Sequence, residues 1–255
     1  MSLIKSEKEI AILTEGGRLL ADILQKVVEA VRPGVTTKEL DSLAESLILS
    51  SGAVPSFKGY NAFGARTVYP ASLCTSINDE VVHGIPSTKR VLQEGDIIGL
   101  DIGMKYKGLY TDMAVTVGAG QIDADSQKLI DATRVALDTG IAQVRVGAYM
   151  GDIGAAIQEY VEGYGFGVVR ELVGHGVGHA VHEEPEVPNF GKHGKGMRLL
   201  EGMVLALEPM VTAGKPHVVL SKDEWTWKTK DGSRSAHFEH TLVVTKDGAR
   251  LLTFL

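Results

Sequence analysis

Cysteine is nearly missing from this chain. Cys74 is the single one in 255 residues, which excludes an intramolecular disulfide and a zinc site built on cysteine pairs. A long apolar run is missing too, since none approaches the roughly 20 residues that a membrane span requires. Basic residues form no stripe, and 26 Lys and Arg are outnumbered by 32 Asp and Glu for a net charge of −6. Nucleic acid is therefore not an expected partner. The opening, M-S-L-I-K-S-E-K-E-I, carries acids where a signal peptide would place its apolar core. No H-E-x-x-H zinc-protease motif occurs. A cytoplasmic chain without a membrane partner is the expectation. With 44% hydrophobic and 23% charged residues, the chain can bury a large core. No stretch shifts to a linker composition, so a single domain is expected.

What the chain does have is an internal duplication. Glu94 to Asp101 reads E-G-D-I-I-G-L-D, and Glu201 to Glu208 reads E-G-M-V-L-A-L-E. Each copy is followed by a second acid opening another β-rich run, Asp112 in D-M-A-V-T-V and Glu239 in E-H-T-L-V-V. Upstream, V-R-P-G-V-T-T-K-E-L (Val31 to Leu40) aligns with V-R-V-G-A-Y-M-G-D-I (Val144 to Ile153), each leading into a helical stretch. The half-repeat is thus helix, turn, helix and two β-runs. So long a period implies pseudo-twofold symmetry, not a solenoid, whose repeats are shorter.

Periodicity predicts a helix over residues 6–31, ended by Pro33-Gly34, and another from an N-cap at Thr37 to about Ser50. A third helix is expected over Asp125–Val146. Residues 53–75 read as strands with long loops. Further strands are expected at Ile97–Asp101, Asp112–Val117, Val168–Val173, Met203–Leu207, Trp225–Thr229, Phe238–Thr245 and Leu251–Phe254, with Lys105–Leu109 as a hairpin connection.

Four acids, Asp101, Asp112, Glu208 and Glu239, fall on runs expected to be buried, where unpaired carboxylates are costly. Bound metal is the expected compensation. Asp101 and Asp112 lie eleven positions apart across the hairpin, which can set them opposite each other on adjacent strands. His175, in G-H-G-V-G-H, has flanking glycines that leave its imidazole open, and it is the expected nitrogen ligand. His179 reads as structural, because three glycines in five residues make a helical zinc pair poor. Four carboxylates and one imidazole suit two divalent ions, Mn²⁺, Fe²⁺, Co²⁺ or Zn²⁺. His83, in V-V-H-G-I-P, and His182, in V-H-E-E-P, are candidates to donate to a substrate carbonyl or amine.

Taken together, S-I-N-D-E-V-V-H-G-I-P, D-I-G at Asp101, T-D-M-A-V-T-V-G, G-H-G-V-G-H, H-E-E-P, A-L-E-P and S-A-H-F-E-H-T resemble the type I methionine aminopeptidases. The match covers about residues 4–255. The resemblance implies the α/β (α+β) pita-bread fold, two pseudo-twofold-related halves whose antiparallel sheet is covered by helices. It implies metal-dependent removal of the N-terminal methionine from nascent proteins and peptides, by hydrolysis with a metal-bridging hydroxide. By resemblance, Asp112 and Glu239 bridge the metals, Asp101 completes one shell, and His175 and Glu208 complete the other. Glu208 is the implied general base, and His83 and His182 contact the scissile peptide. The methionine pocket maps onto Tyr69, Cys74 and Trp225. Val181 stands where many bacterial relatives carry a larger aromatic residue, and the loop Ala62 to Val68 lacks the Tyr-His of some relatives.

Only 32 residues separate His175 from Glu208, and 30 separate Glu208 from Glu239, too few for the extra helical subdomain of type II enzymes. The short bacterial form fits, and the family is usually monomeric. The resemblance also implies work close to the ribosome, on nascent chains. Two rivals share the fold: an X-Pro-specific aminopeptidase or dipeptidase, which normally carries a large N-terminal domain ahead of the first helix, and a non-catalytic binding protein, which would lose ligands.

Overall fold

The computed structural model describes residues 2–61 and 66–254 of the chain, so Ala62 to Ala65 of the loop noted above lie outside the described residues. Helix α1, Glu7–Glu29, starts where Ser6 and Glu9 close a reciprocal capping box. Its stripe of Leu13, Leu20, Leu24 and Val27 is buried, as a 3.6-residue period dictates. Helix α2, Thr37–Ser50, is capped by Thr36 and not by Thr37, because Glu39 reaches back to the Thr36 N–H and hydroxyl. Helix α3, Ala124–Ile141, starts at the Asp123 cap and stops five residues short of the expected Val146. The chain turns there to let Gly147, at φ +84°, donate to the Leu199 carbonyl. Helix α4 spans Met150–Gly163. Among the described residues no helix is long and apolar enough to cross a membrane.

A nine-stranded antiparallel sheet carries the acids. Its centre runs Ile97–Tyr106, Leu109–Gly118, Glu239–Thr245, Val204–Leu207, Gly174–Gly176 and Glu183–Val187. Leu73–Ile77 pairs with the first of these on its outer side. The two-residue turn Lys107-Gly108, with φ of 47° and 91°, has the type I′ geometry that suits a tight hairpin. The expected strand at Val168–Val173 is only Gly167–Val168 and joins a small second sheet. The strand expected from Trp225 begins at Trp227, and the last strand is Gly248–Leu251. His175, flanked by the glycines noted above, sits mid-strand. A Cβ at Gly174 would stand 2.4 Å from the Ala206 carbonyl and one at Gly176 2.2 Å from that of Glu184. Only glycine permits such close backbone approach.

The duplication is visible in the hydrogen bonds. Gly34 donates to Leu92 O at 2.8 Å, as Gly147 donates to Leu199 O at 2.9 Å. Thr37 donates to Arg90 O at 2.9 Å, as Met150 donates to Met197 O at 2.8 Å. The isolated bridges Thr36↔Val91 and Tyr149↔Arg198 repeat the same relation. In the sheet, the Asp112 and Glu239 strands lie side by side, each flanked by its own half's first strand. Ile98, Leu100, Ile102 and Met104 pack against α1 and α2. Leu205, Leu207, Leu242 and Val244 pack with residues of α3 and α4. Strand alternation turns the residues between them towards the other face.

Candidate metal centre and substrate cleft

Register alone assembles the acids. Cys74 pairs with Asp101, Asp101 with Ala114, and Ala114 with Glu239. The pairing of His240 with Leu207 brings Glu208, one residue past its strand, alongside Glu239. This row crosses the middle of the sheet on one face, and small, buried Ala114 leaves space at its centre. Asp112 pairs with Gly103, so it lies diagonal to Asp101 and not opposite it as the spacing suggested. Diagonal neighbours share a face, and Gly103 adds no side chain between them. Asp112 is held by Thr241, whose hydroxyl donates to Asp112 O at 2.7 Å and accepts its N–H at 3.0 Å.

Two ligand clusters result. Asp101, Asp112 and Glu239 offer oxygens within 4.8 Å of one another, as do ligand atoms of His175, Glu208 and Glu239. Glu239 belongs to both, and Asp112 also groups with His175 and His182. Asp101 Oδ1 and Glu239 Oε1 are buried with no hydrogen-bond partner. Orphaned carboxylate oxygens facing one another fit divalent cations, whose hard oxygen and imidazole donors these are. The electrostatics agree. Burial pushes Asp101 up to about 7 and Glu208 up to about 8. Burial, reinforced by neighbouring acids, carries Asp112 and Glu239 well above the usual carboxylate range. Burial drives the imidazoles the other way, to about 4 for His175 and about 3 for His83. Both stay neutral, as a ligand or a hydrogen-bonding partner must.

His83 stands at φ 59°, a left-handed conformation unusual for a side chain of its size. Gly84 beside it has no room for a Cβ, which would sit 2.1 Å from the Thr75 carbonyl. Such strain collects at functional positions. His182 opens to the cleft, packs edge-on against His175 with ring centroids 4.4 Å apart, and takes Tyr60 as the partner of its Nδ1 at 2.8 Å. All five acid and imidazole ligands expected from sequence, together with His83 and His182, line one cavity of about 560 Å³. Tyr69, Cys74 and Trp225 form its apolar wall with Phe57, and Val181 packs in the same buried cluster behind them. The Tyr69 and Trp225 rings meet edge-on at 5.2 Å, and burial holds the Cys74 thiol well above its usual value.

Residues 11–246 match metallopeptidase family M24. The methionine aminopeptidase of Clostridium acetobutylicum is 46% identical over 253 residues, 99% of each chain. The chain belongs to the methionine aminopeptidases of family M24. The crystal structure of the Thermotoga maritima methionine aminopeptidase superposes with a TM-score of 0.95 at 42% identity, covering 99% of both chains. A Pyrococcus horikoshii prolidase superposes with a TM-score of 0.73 at 22% identity, and 63% of that chain is covered. That likeness shows a shared pita-bread fold.

Three further residues stand at this centre that spacing did not reveal. His237 is buried with its Nε2 3.3 Å from Glu208 Oε2. It lies inside S-A-H-F-E-H-T, two residues before Glu239, which is the one signal that could have marked it. Buried Asn189 donates to the Glu208 carbonyl at 3.0 Å. Tyr60 had no sequence signal beyond its aromatic surroundings. His179, read as structural, is bound to Glu9 at 2.7 Å through its Nε2. Nearby, Glu183 accepts the N–H groups of His179 and Ala180 and pairs with buried Lys5, closing the loop that carries His182.

Proposed function

We propose that this chain removes the N-terminal methionine of peptides and nascent polypeptides by metal-dependent hydrolysis. One observation carries the reading: a row of buried carboxylates with orphaned oxygens faces a cleft that holds two neutral histidines and an apolar wall. Asp101, Asp112 and Glu239 would hold one divalent ion, and His175 and Glu208 would hold a second together with Asp112 and Glu239. Co²⁺, Mn²⁺, Fe²⁺ and Zn²⁺ all suit this donor set. Such ions supply Lewis acidity and lower the pKa of water.

The chain's own groups do the rest. Glu208, with its raised proton affinity, takes a proton from the attacking water and returns it to the departing amine, as a general base and then acid. His83 and His182 donate to the scissile peptide where negative charge develops, the strained His83 backbone fixing one imidazole beforehand. Tyr69, Cys74, Trp225 and Phe57 enclose an unbranched apolar side chain, with the thiol and rings as soft contacts. Residues 4–255 act as one catalytic domain and as a monomer, in the cytoplasm near the ribosome.

The test compares Met-Ala-Ser with Ala-Pro-Ala as substrates for Mn²⁺-loaded protein. Free methionine from the first, with the second intact, is the expected result. Cleavage of Ala-Pro would assign the chain the chemistry of its X-Pro-cleaving structural relatives. Cleavage of neither would favour a binding protein.

A further inference from the structure

His237 has no task in the reaction as drawn, yet it is held in place from two sides. It ends the strand Ser235–His237, where it pairs with Met210, two residues past Glu208. The Thr116 hydroxyl donates to His237 O at 2.9 Å and accepts the His237 N–H at 2.8 Å. One hydroxyl thereby saturates both backbone groups and sets the direction of the side chain. The imidazole is buried, and its Nε2 has no hydrogen-bond partner. A buried polar nitrogen left unsatisfied is costly, and native proteins keep few of them.

The carboxylate facing it is that of Glu208. Its Oε2 stands 3.3 Å from His237 Nε2, while its Oε1 faces His175 Nε2 at 3.4 Å. Distance is met on the His237 side and alignment is not. The terminal torsion of a glutamate is soft, so a small turn of the carboxylate completes the bond without moving the backbone. The two oxygens of Glu208 then have separate duties, one towards His237 and one towards the side where His175 and Glu239 stand.

We propose that His237 is a positioning residue for Glu208: its Nε2–H donates to Glu208 Oε2 and fixes the carboxylate plane, leaving Oε1 for the metal and the proton. This rests on the reading of Glu208 as ligand and proton acceptor. Partners of this kind orient a metal ligand without touching the ion, and their loss lowers metal affinity or activity by about 10–100-fold.

The experiment compares His237→Leu, which removes the donor, with His237→Gln, which keeps an N–H donor. It reads kcat and KM on Met-Ala-Ser and Mn²⁺ affinity by calorimetry. For His237→Leu, kcat falls about 10–100-fold and Mn²⁺ affinity about tenfold, while His237→Gln stays near wild type in both. KM changes by less than about twofold in either variant, because uniform substrate binding is untouched. Equal impairment of both variants, or a wild-type His237→Leu, overturns the proposal. A measurement on wild-type protein covers the case in which His237→Leu does not fold. In the Zn²⁺-loaded protein, ¹⁵N NMR of the His237 ring shows the proton on Nε2, and a proton on Nδ1 instead overturns the assignment. If wild-type protein released no methionine, the functional reading would fail, and the tautomer would still judge the contact.

Discussion

In Glu208→Gln protein, kcat for methionine release is expected to fall by about 10²–10⁴-fold, the range for loss of a general base, while the metal-free protein melts at a higher temperature at pH 8. The two effects share one cause. Glu208 follows its strand into the cleft, where burial pushes its carboxyl up to about 8 from its ordinary value of 4.5. Between those values the folded chain must hold a proton on the group or bury its charge. Each unit of that window is worth on the order of 1.4 kcal/mol against the folded state once pH has passed it. An amide of the same shape removes that cost, but it can neither accept the proton nor ligate as an anion. Steady-state kinetics with Mn²⁺ and calorimetry in EDTA at pH 8 check both halves. Unchanged kcat would remove Glu208 from the base role, and a lowered melting temperature would contradict the electrostatic account. The gain in stability from a loss of function follows the usual trade at strained active sites.

The second large effect is on the wild-type protein stripped of metal. Its melting temperature is expected to fall as pH rises from about 6.5 to 8, and added Mn²⁺ restores it increasingly over the same range. The sign follows from two opposing sets of groups. Asp101 at about 7 and Glu208 at about 8 lie above their unfolded values, so the folded state holds extra protons up to those pH values. Their contribution to stability falls as pH rises through the window. His83 at about 3 and His175 at about 4 lie below the ordinary imidazole value of 6.5, so their contribution rises up to about pH 6.5 and is then constant. Below 6.5 the two sets oppose each other, and above it the carboxylates act alone. Cations bind the deprotonated acids and release the protons, so the difference between loaded and stripped protein widens with pH. Calorimetric scans at half-unit pH intervals with and without EDTA measure it. A stripped protein as stable at pH 8 as at 6.5 would show that these acids are not crowded together.

Much of this site is legible because the chain states it twice. The E-G-x-x-x-x-L-acid repeat and the acid that follows each copy marked Asp101, Asp112, Glu208 and Glu239, and the structure brings all four to one face of one sheet. Spacing could not give the register. The Lys107-Gly108 turn sets it, by the left-handed conformations of both residues, and it puts Ala114 and not Asp112 opposite Asp101. The duplicated V-R-x-G segments were readable as turns before helices, whereas the early end of α3 depends on a hydrogen bond to distant Leu199. His175 shows how local signals fail when tertiary contacts decide. Its glycines read as leaving the imidazole open, yet they are there because neighbouring strands leave no room for a Cβ. The contacts of His237 and Tyr60 were not readable for a related reason. His237 belongs to a separate three-stranded sheet, and Tyr60 meets His182 from 122 residues away. A single sequence carries no pattern for either contact.

The most direct test of the account is methionine release from Met-Ala-Ser by protein stripped of metal and then reloaded. Activity absent in EDTA and recovered on adding Mn²⁺, with no recovery in Glu239→Gln, whose lost carboxylate belongs to both ligand clusters, is the expected result. Full activity in the stripped protein, or normal recovery in Glu239→Gln, would contradict it.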